Sequence, residues 1–336
     1  LLEMHLAKNE WLRNNYETAL EHFERGRSLA GEVDNPRLRR SVGVFGAFFP
    51  YWHGRFAEAV RNYEQLAPDV ASYPQGRFPL LAGATIGTCY ALTGQISQGL
   101  GMLQSVHAHC RAGGDRQTAG VALNGLGWIF MEMNRLGDAI AALEEAWGLR
   151  HEMLGVLHEA GLLQLLAYSH FRAGDERRAT TYLRKLNSLG RAKDINMMTG
   201  PPQLELCWAA DQGRFPKTAG PDLKEMIARS TRSRNVWVRG TAFRYQALAL
   251  IRDGGSLEDA ADSLKTSVAL LEESGHCLEL ARTRLELARH FLRLGLDKEA
   301  RAQAARAAET LVPLDRALFP EDLRPLVKGL AARENL

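Results

Sequence analysis

Small and apolar residues recur along this chain on a 40-residue beat. Ala19, Ala59, Gly99, Ala139 and Ala179 stand 40 apart, and so do Ala260 and Ala300. The interval from Ala179 to Ala260 is 81 residues, two periods plus one, with Ala219 where the missing copy belongs. Four and seven positions beyond this column come further apolar or small residues, such as Tyr63 and Leu66, Leu103 and Val106, and Leu183 and Leu186. Spacing of i, i+4, i+7 marks one face of an amphipathic helix. No stretch alternates with period two, so the pattern predicts no strand.

Five residues before the column come Asn14, Gly54, Gly94, Asn134, Gly174, Gly255 and Gly295. Gly and Asn tolerate the left-handed backbone that ends a helix, so this column predicts the tight turn inside each helix pair. A second small column, Ala7, Ala47, Gly87, Gly127, Ala167, Ala247 and Ala288, precedes that turn. Small side chains there let two helix axes approach to about 8–10 Å. About fifteen residues past the first column, Asp34, Pro74, Gly114, Asp194 and Gly275 close the second helix. The chain reads as helix, turn, helix, loop, repeated about eight times. Stacked in register, such pairs make an all-α solenoid with an open trough along one side.

These columns resemble the tetratricopeptide repeat. The clearest copy is Leu126-Gly127-Trp128-Ile129-Phe130 followed by Ala139 and Leu143, matching two parts of that family's signature. The period is six residues longer than the usual 34, which is similar to a long-helix subtype found in scaffold adaptors and in bacterial regulators related to the maltose-regulon activator. The junction Gly114-Asp115-Arg116 leading into a new helix fits that subtype. The stretches 279–288 and 317–322 resemble the repeat region of large multidomain bacterial signalling proteins. The resemblance implies a right-handed superhelix over residues 1–310, with the first helix of each pair lining the concave face.

Repeat six, about 187–235, is degenerate. Gly200-Pro201-Pro202, Pro216 and Pro221 interrupt it, because proline removes a helix hydrogen bond and clashes with the preceding turn. Two readings follow: a worn repeat with a broken second helix, or a hinge that changes superhelix curvature. Pro50 predicts a kink in the first helix of repeat two. The chain starts within its first helix, which suggests a segment of a longer protein. Residues 311–336 are expected to form a capping helix or the start of a linker.

Composition narrows the function. A net charge of +3 on 336 residues offers no concentrated basic stripe for nucleic acid. The basic clusters Arg37-Arg39-Arg40 and Arg229-Arg232-Arg234 adjoin loops and lack interleaved aromatics that would stack on bases. No apolar run approaches the ~18 residues needed to cross a bilayer. The four cysteines form no C-x-x-C pair, which argues against a disulfide framework or structural zinc and fits a reducing cytoplasm. His107 and Cys110 can share a helix face, but two ligands do not make a metal site. There is no phosphate loop, nucleophile elbow or H-E-x-x-H motif. The expectation is a non-enzymatic protein without cofactor or metal.

On the family's concave positions the chain carries Phe48, Tyr51, Trp52, Asn124, Trp128, Met131, Gln164, Tyr168 and Arg172, then Arg244, Arg252, Arg289 and Arg293. The resemblance thus implies a groove that is aromatic in repeats two to five and basic in repeats seven and eight. Arg252 belongs to it only if repeat seven is anchored at Ala247. Aromatic residues and Arg dominate binding hot spots, although aromatics at these positions also serve as packing between helices. Two functions follow. One is a cytoplasmic protein-interaction and signal-relay segment of a bacterial regulator, with a peptide, a protein domain or another domain of the same chain in the groove. The other is a small-molecule sensor that clasps an oligosaccharide-like effector on Trp52, Trp128 and Tyr168.

Overall fold

A computed structural model describes residues 1–12, 15–70, 77–152, 156–193, 200–217 and 222–330. The expected columns at Asn14, Pro74, Asp194 and Ala219 fall outside them, as does the end of the 311–336 stretch. Among the described residues there are sixteen α-helices in eight successive pairs and no strand. The pairs are α1 (Leu2–Leu12) with α2 (Tyr16–Glu32), α3 (Pro36–Trp52) with α4 (Phe56–Val70), α5 (Arg77–Leu92) with α6 (Ile96–Gly113), and α7 (Arg116–Glu132) with α8 (Leu136–Gly148). They continue as α9 (Val156–Arg172) with α10 (Glu176–Lys193), α11 (Pro201–Asp211) with α12 (Leu223–Ser230), α13 (Val236–Arg252) with α14 (Leu257–Ser274), and α15 (Cys277–Arg293) with α16 (Asp297–Leu311). The architecture is a right-handed α-solenoid on the 40-residue beat.

The small columns do what their size allows. A Cβ added at Gly99 would lie 2.4 Å from the Gly87 carbonyl, and one at Gly127 would lie 2.4 Å from Leu143. Helices within a pair therefore cross closer than two larger residues would permit. Ala139, Ala179, Ala260 and Ala300 are buried at the matching positions. Junctions between pairs are closed by capping: Gly114 and Gly275 end α6 and α14 in the left-handed conformation. Asp115 then accepts a hydrogen bond from Thr118 N to start α7. Such caps satisfy backbone groups that a helix end leaves orphaned.

One turn differs from expectation. The left-handed residue between α13 and α14 is Gly254, not Gly255. Gly254 keeps the seven-residue offset from Ala247, so the extra residue of the 81-residue interval sits in the turn itself. Repeat six is shortened: Pro201 and Pro202 open α11, and α12 has eight residues, begun by an Asp222 cap on Glu225 N. Leu204, Leu223, Met226 and Ile227 still pack on Ala242 and Tyr245 of repeat seven. Residues 316–318 and 321–326 form two short 3-10 turns. Phe319 and Leu323 from this stretch are buried against the apolar side of the last pair.

α3 runs through Pro50 to Trp52. Proline cannot donate to the carbonyl four residues back, that of Gly46. Asn62 Nδ2, on α4, donates to that carbonyl at 3.2 Å.

The expected open trough is closed. Superhelical winding brings the turn after α3 onto the loops before α13 and α15. Val236 N donates to the His53 carbonyl at 2.8 Å, and Asn235 Nδ2 to the Trp52 carbonyl at 3.0 Å. Ser274 Oγ donates to the Gly54 carbonyl at 2.5 Å. Farther along, Asn134 Nδ2 donates to Asp315 at 3.1 Å. Each pair rotates a little on the last, and after about five pairs the chain meets itself around a lumen that its own side chains fill.

Candidate functional site

The lumen is filled by side chains from four repeats. Trp128 of α7 lies 5.0 Å from Trp237 of α13, ring centre to ring centre, and Trp237 stacks on His276 at 5.6 Å. Phe56, the first residue of α4, meets Trp128, Trp237 and His276 edge-on. Edge-to-face and offset geometries of this kind suit the charge distribution of aromatic rings. His276 caps α15, its Nδ1 accepting from Glu279 N at 3.3 Å. The ring proton is therefore on Nε2, which has no hydrogen-bond partner among the described residues.

Beneath the aromatics lies a buried charge chain. Glu132 of α7 pairs with Arg282 at 2.6 Å, Arg282 with Glu279 at 2.8 Å, and Glu279 with Arg244 of α13 at 2.6 Å. Trp128 Nε1 donates to Glu132 at 3.2 Å. Burial alone raises the Glu279 carboxyl, but Arg244 and Arg282 outweigh it and hold it well below the usual carboxylate range. Arg282 is pushed well up, because Glu132 and Glu279 overcome its own desolvation. Alternating charges make the chain neutral overall, and each ion is compensated on the spot.

The predicted groove residues divide accordingly. Trp128, Met131, Gln164, Tyr168 and Arg244 are buried in the interior. Gln164 accepts from Gly200 N at 3.1 Å. Asn124 presents a buried Oδ1 with no partner among the described residues. Arg172 donates to the Met131 carbonyl and to Asn134, with its guanidinium 5.7 Å from the Tyr168 ring centre. In repeat two, Phe48 and Trp52 stack on each other at 5.7 Å and Tyr51 turns its edge to Phe56.

The four arginines do not form a basic groove. Arg244 is neutralised by Glu279, and Arg289 pairs with Asp322 at 2.8 Å and Glu286 at 2.5 Å. Arg252 is exposed and pairs with Asp253 and Asp211. Arg293 is exposed on the last turn of α15. Phe56, Trp237, His276, Glu279 and Arg282 were missed by counting along first helices. A signal existed for Glu279: a charge on the buried side of a first helix, as Arg244 is, demands a counter-charge.

A surface cavity of about 670 Å³ lies alongside, between α2, α3 and α4. Phe23, Val42 and Phe49 are among its lining residues, as are His53, Arg55 and Arg234 beside the closing contact. No helix of the described residues is long and apolar enough to cross a membrane.

No protein-family model and no curated protein matches the chain. Solved structures do. A Rap protein complexed with Competence and Sporulation Factor superposes with a TM-score of 0.66 at 11% identity, over 90% of this chain and 82% of the other. The Rap conjugation regulator of plasmid pLS20, in complex with the Phr* peptide, gives 0.52 at 12%, over 95% and 76%. The apo form of the quorum sensor NprR from B. thuringiensis gives 0.53 at 12%, over 93% and 86%. Rap and NprR proteins are built of tetratricopeptide repeats. This chain has the tetratricopeptide-repeat fold. In this tetratricopeptide solenoid the lumen is filled with side chains, and the cavity lies between the first two repeats.

Proposed function

We propose that this chain is a regulatory scaffold that binds a peptide, with the lumen as the binding site. The observation that supports it most is the likeness, along nine-tenths of the chain, to a Rap protein complexed with Competence and Sporulation Factor. A second neighbour holds the Phr* peptide. The lumen has chemistry suited to a peptide backbone, which needs both donors and acceptors. Asn124 Oδ1 and Trp237 Nε1 are buried there without partners among the described residues, and the Gln164 amide stands one repeat beyond Asn124. A cytoplasmic setting, and a place in a longer bacterial regulator whose other domains read the bound state, belong to the same proposal.

The oligosaccharide reading loses its support. The rings that would stack on sugars meet the chain's own side chains instead: Trp128 packs at a tilt against Trp237, and Trp52 stacks on Phe48. Glu132 and Glu279, the acids beneath the rings, are each paired with an arginine.

Panning a displayed library of short random peptides against the chain tests the proposal. Retained peptides are expected to bind Asn124→Ala and Gln164→Ala at least roughly tenfold more weakly, about one lost hydrogen bond to a buried group. A library that yields no binder, or binders indifferent to both substitutions, removes the lumen as a peptide site.

A further inference from the structure

The contact that closes the superhelix has an unusual construction. Trp52, His53 and Gly54 present successive carbonyls at the end of α3, where a helix has no partners of its own to offer. All three accept from residues far along the chain: Asn235 Nδ2, Val236 N and Ser274 Oγ. Small residues line the approach. A Cβ at Gly54 would lie 2.8 Å from Trp237 N, and one at Gly275 would lie 2.6 Å from the Ala57 methyl. Arg55 reaches Glu273 at 2.8 Å on the exposed rim.

One large apolar group crosses the contact. Phe56 is 1% exposed, held among Trp128, Trp237 and His276. The same position in other repeats, at Ile96, Leu136 and Leu257, is half-buried or exposed. Phe56 is a plug: beyond the Tyr51 ring of its own pair, the rings that surround it come from repeats four, seven and eight.

We propose that residues 52–57, docked on Asn235, Val236 and the 273–276 loop, form a latch that holds the superhelix shut and opens to admit a ligand to the lumen. The admission of a ligand rests on the reading of the lumen given above; the latch itself does not. Its polar bonds are of the kind that water replaces at small net cost. The 670 Å³ cavity borders the latch at His53, Arg55 and Arg234. A contact made of backbone carbonyls, one plug and the rim pair Arg55–Glu273 releases as a unit, while Glu132–Arg282 and Asn134–Asp315 still join repeat four to the end of the solenoid and the pairs on either side keep their own cores.

Hydrogen exchange on the unaltered chain tests this directly. The Val236 amide opens α13, and its hydrogen bond is to His53 across the latch. It is expected to exchange at least tenfold faster than the Ala242 amide inside the same helix, yet slower than an unstructured amide. Protection equal to that of Ala242 means that closure is permanent, and no protection means that the contact is not made; either overturns the latch. Small-angle scattering supplies the second measurement. A compact chain of this length has a radius of gyration of about 20 Å. Asn235→Ala/Ser274→Ala and Ala57→Gln are expected to raise it by roughly a tenth or more at unchanged helicity, with stronger acrylamide quenching of tryptophan. Folded variants with unchanged scattering and quenching overturn the proposal. Variants that open but take no peptide remove the peptide reading and leave the latch standing.

Discussion

Asn235 is bonded to Trp52 across 183 positions of sequence while it also starts its own helix. Its Oδ1 accepts from Val238 N at 3.0 Å, and its Nδ2 donates to the Trp52 carbonyl at the same distance. The two halves of one amide therefore serve local and global structure separately. Asn235→Ala removes both and is expected to lower stability by about 1–2 kcal/mol. Asn235→Ser keeps a cap acceptor and loses the donor to Trp52 without setting a charge against that carbonyl, so its loss is expected to be the smaller. Urea midpoints of the two variants check this: a cap-retaining variant as stable as the unaltered chain would mean that the bond to Trp52 contributes nothing, and equal losses would mean that the cap contributes nothing.

Gly54 and Gly174 both have left-handed backbones, φ 71° and 79°. A Cβ at Gly174 meets nothing within 4 Å, whereas one at Gly54 would come 2.2 Å from Asn235 Oδ1. Gly174→Ala is expected to cost about 1 kcal/mol, the strain of an L-residue in that conformation. Gly54→Ala is expected to cost more, because the closing contact must also shift. Val at either position adds a branched Cβ to the same strain. Equal denaturation midpoints for the two Ala variants would contradict the docking of the second turn.

Glu279 lies between two guanidiniums, and Arg244 is 4% exposed. Removing the carboxylate alone leaves Arg244 buried and unpaired. Glu279→Leu is therefore expected to destabilise by about 3–5 kcal/mol. Arg244→Met/Glu279→Leu removes both charges, and Arg282 retains Glu132, so much of that loss is expected to return. A double variant no more stable than Glu279→Leu would show that the pair does not act as a unit.

Burial lowers the pKa of His276, and that of His53 and His290 as well. A histidine that is harder to protonate when folded than when unfolded takes up protons preferentially in the unfolded chain. Stability from this source is whole above about pH 6.5, the unfolded value, and declines as pH falls below it. His276→Asn keeps an N-cap acceptor and removes one titrating ring. Its stability is expected to fall less steeply between neutral and mildly acidic pH. The same slope as the unaltered chain would place the acid sensitivity elsewhere.

Much of this architecture is written locally. The approach of Gly99 to the Gly87 carbonyl tolerates no larger residue, so the small columns and their period carry the pairing of helices. The inner turns follow for the same reason, with one slip at Gly255. Counting back from Ala260 put the extra residue before the turn, whereas counting forward from Ala247 would have found Gly254. Closure was not legible. It arises from small rotations summed over several pairs, and no local period encodes that sum. The identity of the interior is hidden for the same reason: Trp128, Met131 and Tyr168 are buried on first helices, whereas Phe56 and Trp237 enter the lumen from helix starts. The arginines of repeats seven and eight looked like a basic face because their carboxylates, Glu279 and Asp322, lie 33 or more residues away.

Pro50 leaves the Gly46 carbonyl without its usual helical donor, and Asn62 supplies one from the neighbouring helix. A defect in one helix thereby becomes a rivet between two. The pair α3–α4 carries the latch at one end and borders the cavity along its side, so its two helices are the ones most exposed to being prised apart. Gly46 and Asn62 both line the cavity, so the rivet is part of its wall and ties α3 to α4 where the space opens beside them.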